Sequence, residues 1–211
     1  MHRRQSPRWG HKDTADPSPS PPPPPRRPPR SPSPPRPPPP ATASGPLTGG
    51  GCDDAQQTLD RVNKYRAAHQ ALPVAWDPAL ASQAQAYANT LASRGCDAAL
   101  SHTGAKGEML YWEYGGWDGY CRYAISDWYG ESAVYSFNDT PFYTNVIMNA
   151  GNDFSHFTQL VWRSSTAVGC GTQSSSDGYM SPCNYVVCYF APGGNMASDA
   201  AYLSNVLPAT G

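Results

Sequence analysis

The sequence predicts an α+β domain built in layers. Two amphipathic helical runs come early in the chain and two β-prone segments come late, with six cysteines spread across the same region. Helices first and a hairpin last argue against a doubly wound parallel sheet, which needs strands and helices in alternation.

The domain is preceded by a segment that cannot fold into a core. Of 24 prolines, 16 fall between Pro17 and Pro40, where they hold the backbone near polyproline II and remove its amide donors. Residues 1–46 therefore read as a basic, extended or disordered tail, and residues 47–211 as one domain. The tail carries eight basic and two acidic residues, the domain seven basic and fourteen acidic. A formal net charge of -1 thus hides a basic tail on an acidic domain. Ser31-Pro32-Ser33-Pro34 resembles the hydroxyproline-rich wall glycoproteins of plants and green algae, with an unmodified linker as the alternative.

Within the domain, Leu59, Val62 and Arg66 share one helical face, which predicts a helix from about Ala55 to His69 after Asp53 and Asp54. Asp77 as N-cap and Pro78 at the first helical position begin a second helix. Its stripe is Leu80, Ala84, Tyr87, Ala88 and Leu91, and Gly95 ends it. A third helix is expected to include Ile125, Trp128, Glu131 and Tyr135. A short helical stretch follows near His156 to Trp162. Then Val168 to Gln173 and Tyr185 to Phe190 read as an antiparallel hairpin. Between the second and third helices, Tyr111, Trp112, Tyr114, Trp117 and Tyr120 alternate with Gly115, Gly116 and Gly119. This cluster reads either as a loop that stacks on glycans or sterol, or as a cover for the sheet.

Six cysteines without metal-binding spacing favour three disulfides and an oxidising compartment. Six allow 15 pairings, and spacing does not choose among them. Asn138-Asp139-Thr140 is a glycosylation sequon, followed by Pro141, which lowers its use. Residues 1–20 hold no apolar stretch, so the expected secretory leader is either removed or upstream of an internal Met1. No run approaches the length needed to span a bilayer.

Four segments carry a resemblance to a known family. They are His156-Phe157-Thr158-Gln159-Leu160-Val161-Trp162, Val186-Val187-Cys188-Tyr189-Phe190-Ala191-Pro192-Gly193-Gly194-Asn195, Asn63-Lys64-Tyr65-Arg66 with His69, and Gly107-Glu108-Met109-Leu110. In order and in type they resemble the CAP superfamily of cysteine-rich secretory, antigen 5 and pathogenesis-related proteins. The resemblance spans nearly all of residues 47–211 and implies a three-layer α-β-α sandwich with a small antiparallel sheet. It differs at three positions: Ser155 stands for a glycine and Tyr189 for an asparagine, both expected to alter loop packing only, and Met109 replaces an asparagine beside a cavity carboxylate.

The resemblance also implies a central cleft lined by His102, Glu108, Glu131 and His156. Two imidazoles ligate a divalent ion through neutral nitrogens, while neighbouring carboxylates orient them or neutralise the ion. His102 and His156 are the expected ligands, with zinc as the ion, and Glu108 and Glu131 nearby. Without metal the same groups form a hydrogen-bonded network. Cys170 and Cys188 can face each other across the hairpin, and the family joins matching cysteines. The family pattern also joins Cys96 to Cys183, which leaves Cys52 for Cys121.

No catalytic residue is assigned. The sequence lacks Gly-x-Ser-x-Gly and His-Glu-x-x-His, and Ser101, next to His102, is badly placed as a nucleophile because chain neighbours seldom meet side chain to side chain. His69, Trp128 and Trp162 read as packing residues, and His2 and His11 belong to the tail. The expected function is that of a secreted, non-enzymatic binding protein of cell wall or matrix, linked to defence. Its ligand would be a lipid or sterol, a glycan or a surface protein, not nucleic acid, with the tail held by wall polysaccharide. The alternatives are a metal-dependent hydrolase using His102, His156 and one glutamate, and a structural wall glycoprotein.

Overall fold

A computed structural model describes residues 46–96, 99–115, 118–176 and 182–210. Residues 1–45, Gly116 and Trp117 lie outside the described residues, and so do the expectations for the polyproline segment and for Trp117.

Two helices open the domain. The first, α1, spans Ala55–Ala68 and buries Ala55, Thr58, Val62 and Arg66. After the two-residue strand β1, Ala75–Trp76, the second helix α2 spans Pro78–Ala92. Asp77 caps α2 as its sequence predicts: Oδ1 accepts the N–H groups of Ala79 and Leu80 at 2.8 and 3.3 Å. The buried face of α2 is Ala81, Ala84, Ala88, Leu91 and Ala92. Its small side chains let the helix lie close to the sheet, and two glycines complete the fit. A Cβ on Gly169 would fall 2.2 Å from the nitrogen of Ala81, and one on Gly171 would fall 2.4 Å from that of Gln85.

Four strands form one mixed sheet in the order β1-β3-β4-β2, where β2 is Glu108–Tyr114, β3 is Ala167–Ser175 and β4 is Cys183–Ala191. The expected hairpin of β3 and β4 is antiparallel and places Cys170 opposite Cys188. The sheet is larger than a hairpin, because β1 adds to β3 in parallel and β2 adds to β4 antiparallel. The segment read as an aromatic loop is therefore largely an edge strand. Met109 and Leu110 are both buried, one against each layer, so β2 shows no polar face and no alternation that sequence could reveal.

The third helix, α3, spans Tyr120–Gly130 and buries Ala124, Ile125 and Trp128. It ends earlier than predicted. Glu131–Val134 is a tight 3₁₀ turn and Tyr135 is extended beyond it, because the Glu131 side chain is drawn to the next helix rather than along its own. Phe142–Met148 forms a π-helix, α4 spans Ser155–Leu160, and α5 spans Asp199–Asn205. The π-helix and α5 are too short to show a periodic signal.

The sheet separates two cores. Leu110, Tyr185, Val187 and Tyr189 face α2, while Met109, Val186, Cys188 and Phe190 face α1, α3 and α4 with Ile125, Trp128, Phe157 and Trp162. Layers of helix, sheet and helix result, as an α+β sandwich requires. Three disulfides join Cys52 to Cys121, Cys96 to Cys183 and Cys170 to Cys188. Arg66 is fully buried and gives its guanidinium N–H groups to the carbonyls of Leu72, Leu160, Trp162 and Ser165 at 2.8–3.0 Å. His69 is a packing residue: Nδ1 bonds the Leu207 carbonyl at 2.6 Å and Nε2 meets the Tyr129 hydroxyl at 3.1 Å. Among the described residues no helix is long and apolar enough to cross a membrane.

Candidate functional site

Four residues expected in the cleft form two His–Glu pairs. His102 comes from the loop before β2 and Glu108 is the first residue of that strand, so a short turn brings the imidazole Nδ1 to 2.7 Å from Glu108 Oε1. Glu108 is held from several sides. The Thr103 N–H reaches Oε1 at 2.9 Å, and the hydroxyls of Thr103 and Tyr189 reach Oε2 at 2.5 and 2.8 Å. Its side chain is 1% exposed, whereas that of His102 is 56% exposed. Burial works to raise the Glu108 carboxyl. Hydrogen bonds from Thr103, Tyr189 and His102 outweigh it and hold the group below its usual range. The Tyr189 hydroxyl moves the other way, pushed up to about 12 by burial and by its bond to Glu108.

The second pair is built by α3 and α4. Glu131 follows the last residue of α3, and its Oε1 lies 2.6 Å from His156 Nδ1. Oε2 accepts the N–H groups of His156 and Phe157, each at 3.0 Å, so the same carboxylate caps α4 and orients the ring it serves. The imidazole is sandwiched against Trp128, with ring centroids 5.5 Å apart and planes 21° apart. Trp128 in turn donates Nε1–H to the Leu110 carbonyl of β2 at 3.3 Å. Both side chains of the pair are about 15% exposed, at 15% and 16%.

Strand alternation separates the two pairs. Glu108 shares its face with Tyr189 and Leu110, on the side of α2, while His156 stacks on Trp128 on the opposite layer. Each pair places Nδ1 on a carboxylate and leaves Nε2 without a hydrogen-bond partner among the described residues. Glu131, Asp153 and His156 offer donor atoms that all lie within 4.8 Å of one another, and His102 is not in that group.

Several participants were not legible as site residues. Asp153 Oδ1 lies 3.8 Å from His156 Nδ1 and is held by the Ser155 hydroxyl at 3.1 Å. Tyr111 gives its hydroxyl to Glu113, and Asp127 is raised by burial and then by Glu131 and Glu113, with His156 opposing. The spacing Asp153-x-x-His156 is the one sequence signal that pointed to any of them. The expectation that Ser155 and Tyr189 change loop packing alone is corrected, since each puts a hydroxyl on a carboxylate of the site. Met109 is 1% exposed and lies on the sheet face opposite Glu108, so its thioether fills the core beside the site. Asn138 is exposed in a turn: its Oδ1 accepts the Thr140 N–H at 2.9 Å and its Nδ2 donates to Thr144 at 3.1 Å.

A family model described as CAP, the cysteine-rich secretory protein family, matches residues 59–190. Pathogenesis-related leaf protein 4 of Solanum lycopersicum is 36% identical over 147 residues, which cover 70% of this chain and 82% of that protein. Secreted protein RBT4 of Candida albicans is 34% identical over 167 residues, covering 74% of this chain and 41% of that one. Among solved structures, the crystal structure of NaASP2 with Zn2+ is similar at a TM-score of 0.55 and 22% identity, covering 78% of this chain and 90% of that chain. That likeness is one of fold.

Proposed function

The chain belongs to the cysteine-rich secretory protein (CAP) family, and from that premise we propose that it is an extracellular, defence-related binding protein that catalyses no reaction of its own. Its relatives include proteins named pathogenesis-related and a protein named as secreted. Three buried disulfides suit an oxidising exterior.

The observation that carries the proposal is the pairing of each imidazole Nδ1 with a carboxylate, His102 with Glu108 and His156 with Glu131. A carboxylate on Nδ1 keeps the proton there and leaves Nε2 as a lone pair, which is how metal-ligating histidines are oriented. Glu131, Asp153 and His156 lie close enough together to share a divalent ion such as zinc, and His102, outside that cluster with its side chain 56% exposed, would have to turn toward it to become the second imidazole ligand. When bound, the ion would polarise a ligand oxygen. A site of two imidazoles keeps coordination positions for exchangeable ligands and binds loosely.

Binding rather than turnover is supported by how the neighbouring hydroxyl is used. Ser101 Oγ accepts Arg94 Nη1–H at 2.9 Å, and among the described residues no hydrogen bond joins it to His102. The ligand classes that suit the proposal are a lipid or sterol, a glycan, or a cell-surface protein. The basic, proline-rich tail would hold the domain to anionic wall polysaccharide.

Solvent extraction of the purified protein followed by mass spectrometry, alongside zinc-supplemented peptide and ester hydrolysis assays, tests this. A recovered ligand with no turnover is expected. Chelator-sensitive hydrolysis that is lost in His102→Ala or His156→Ala would replace the proposal with a metal-dependent hydrolase.

A further inference from the structure

Asp54 precedes α1 and sits against the disulfide between Cys52 and Cys121. A carboxylate oxygen of Asp54 and both sulfurs lie within 4.8 Å of one another, and all three residues are buried. Oδ2 accepts the Arg122 N–H at 2.9 Å and so caps α3, whose own cap residue Gly119 has no side chain to offer. Oδ1 is buried and has no hydrogen-bond partner among the described residues. A buried carboxylate oxygen left in this state is costly, and protonation relieves that cost. Burial raises the Asp54 carboxyl; among its neighbours the Arg122 N–H and Arg122 charge oppose this and Asp53 adds to it.

We propose that the Cys52–Cys121 bond is a thiol-exchange site and that Asp54 is the acid that protonates its leaving sulfur. Cys52 is 8% exposed and Cys121 is 0% exposed, so attack falls on Cys52 Sγ. A cavity of about 300 Å³ lies beside the bond, lined by Gly51 and Asp53 on either side of Cys52 and by Gly119 and Tyr120 just before Cys121. Asp53 and Asp118 both line it, which favours a reductant with no negative charge besides that of its attacking thiolate.

A thiolate of a dithiol reductant bonds to Cys52 Sγ, the Cys52–Cys121 bond breaks, and its electron pair stays on Cys121 Sγ. That sulfur takes the Asp54 proton and becomes a thiol, and Asp54 regains a proton from water. The second thiol of the reductant then displaces Cys52, which leaves two protein thiols and an oxidised, cyclic disulfide. Opening the bond frees the start of α1 from α3, the helix that carries Trp128 and leads into Glu131.

Timed reduction of the full chain with dithiothreitol, thiol alkylation and peptide mass mapping tests this. Cys52 and Cys121 are expected to be alkylated before Cys96, Cys183, Cys170 and Cys188. In Asp54→Asn the amide oxygen still caps Arg122 but carries no acidic proton, and opening should slow roughly tenfold or more at equal thiolate concentration. Opening of another disulfide first in the wild-type protein overturns the proposal even if the variant does not fold. Equal rates for the wild type and a folded Asp54→Asn overturn it as well.

Discussion

Glu131 holds the ring of His156 at Nδ1 with one oxygen and the backbone N–H of the same histidine with the other. The carboxylate therefore sets both where α4 starts and which nitrogen of the ring carries the proton. Glu131→Gln separates those effects. The amide oxygen can still take the N–H groups of His156 and Phe157, but the amide nitrogen turned toward Nδ1 donates, which drives the ring proton to Nε2 and removes the lone pair a metal needs. Zinc affinity should fall about 10- to 100-fold, with a stability loss of about 1.5–3 kcal/mol in urea titration. Unchanged zinc affinity would show that Glu131 does not orient the ring.

Glu108 predicts a pH dependence with a definite sign. Burial alone would raise its pKa, but the hydrogen bonds from Thr103, Tyr189 and His102 prevail, so the folded value lies below the ordinary carboxylate value of 4.5. The unfolded chain then binds more protons, and this contribution to stability is present above about 4.5 and lost as pH falls through the folded value. Urea midpoints measured from pH 7 to pH 3 should decline less steeply in Glu108→Gln than in the wild type. Parallel curves would contradict the assignment.

Arg66 gives a test of the fold that is independent of the site. It donates to four carbonyls drawn from the turn after α1 and from the segment that follows His156, and burial depresses its pKa to about 10. Arg66→Met leaves those carbonyls unpaired and should cost more than about 3 kcal/mol by chemical denaturation. Arg66→Lys keeps the charge but not the planar fork of donors, and should fall between the two. A loss below about 1 kcal/mol in Arg66→Met would mean that water replaces the guanidinium.

The tail makes a separable prediction. Residues 1–46 have no periodic apolar pattern, so a chain that begins at residue 47 should keep its melting temperature and lose retention on anionic polysaccharide as salt is held low. A marked fall in melting temperature would show that the tail packs on the domain.

Much of this architecture was legible because the signals are local. The stripe and cap of α2 and the β-branched and aromatic run of β4 announce themselves. β2 does not, because Met109 and Leu110 serve opposite cores and erase the alternation by which a half-buried strand is recognised. The four His and Glu residues were found through family resemblance, since nothing in their spacing brings Glu131 to His156 across 25 positions. Tyr189 and Ser155 show in the sequence only as departures from the family pattern, because their hydroxyls reach carboxylates that become neighbours only once the sheet and α4 are formed.

The proposed function requires His102 and His156 to present their Nε2 atoms to one divalent ion. Calorimetric titration of the full chain with zinc at pH 7.5 and at pH 5.5 tests it most directly, since a protonated imidazole cannot ligate. Weak binding at the higher pH is expected, lost at the lower pH and lost in both His102→Ala and His156→Ala. Binding that survives in either folded variant would contradict the account and move the ion to a different set of donors.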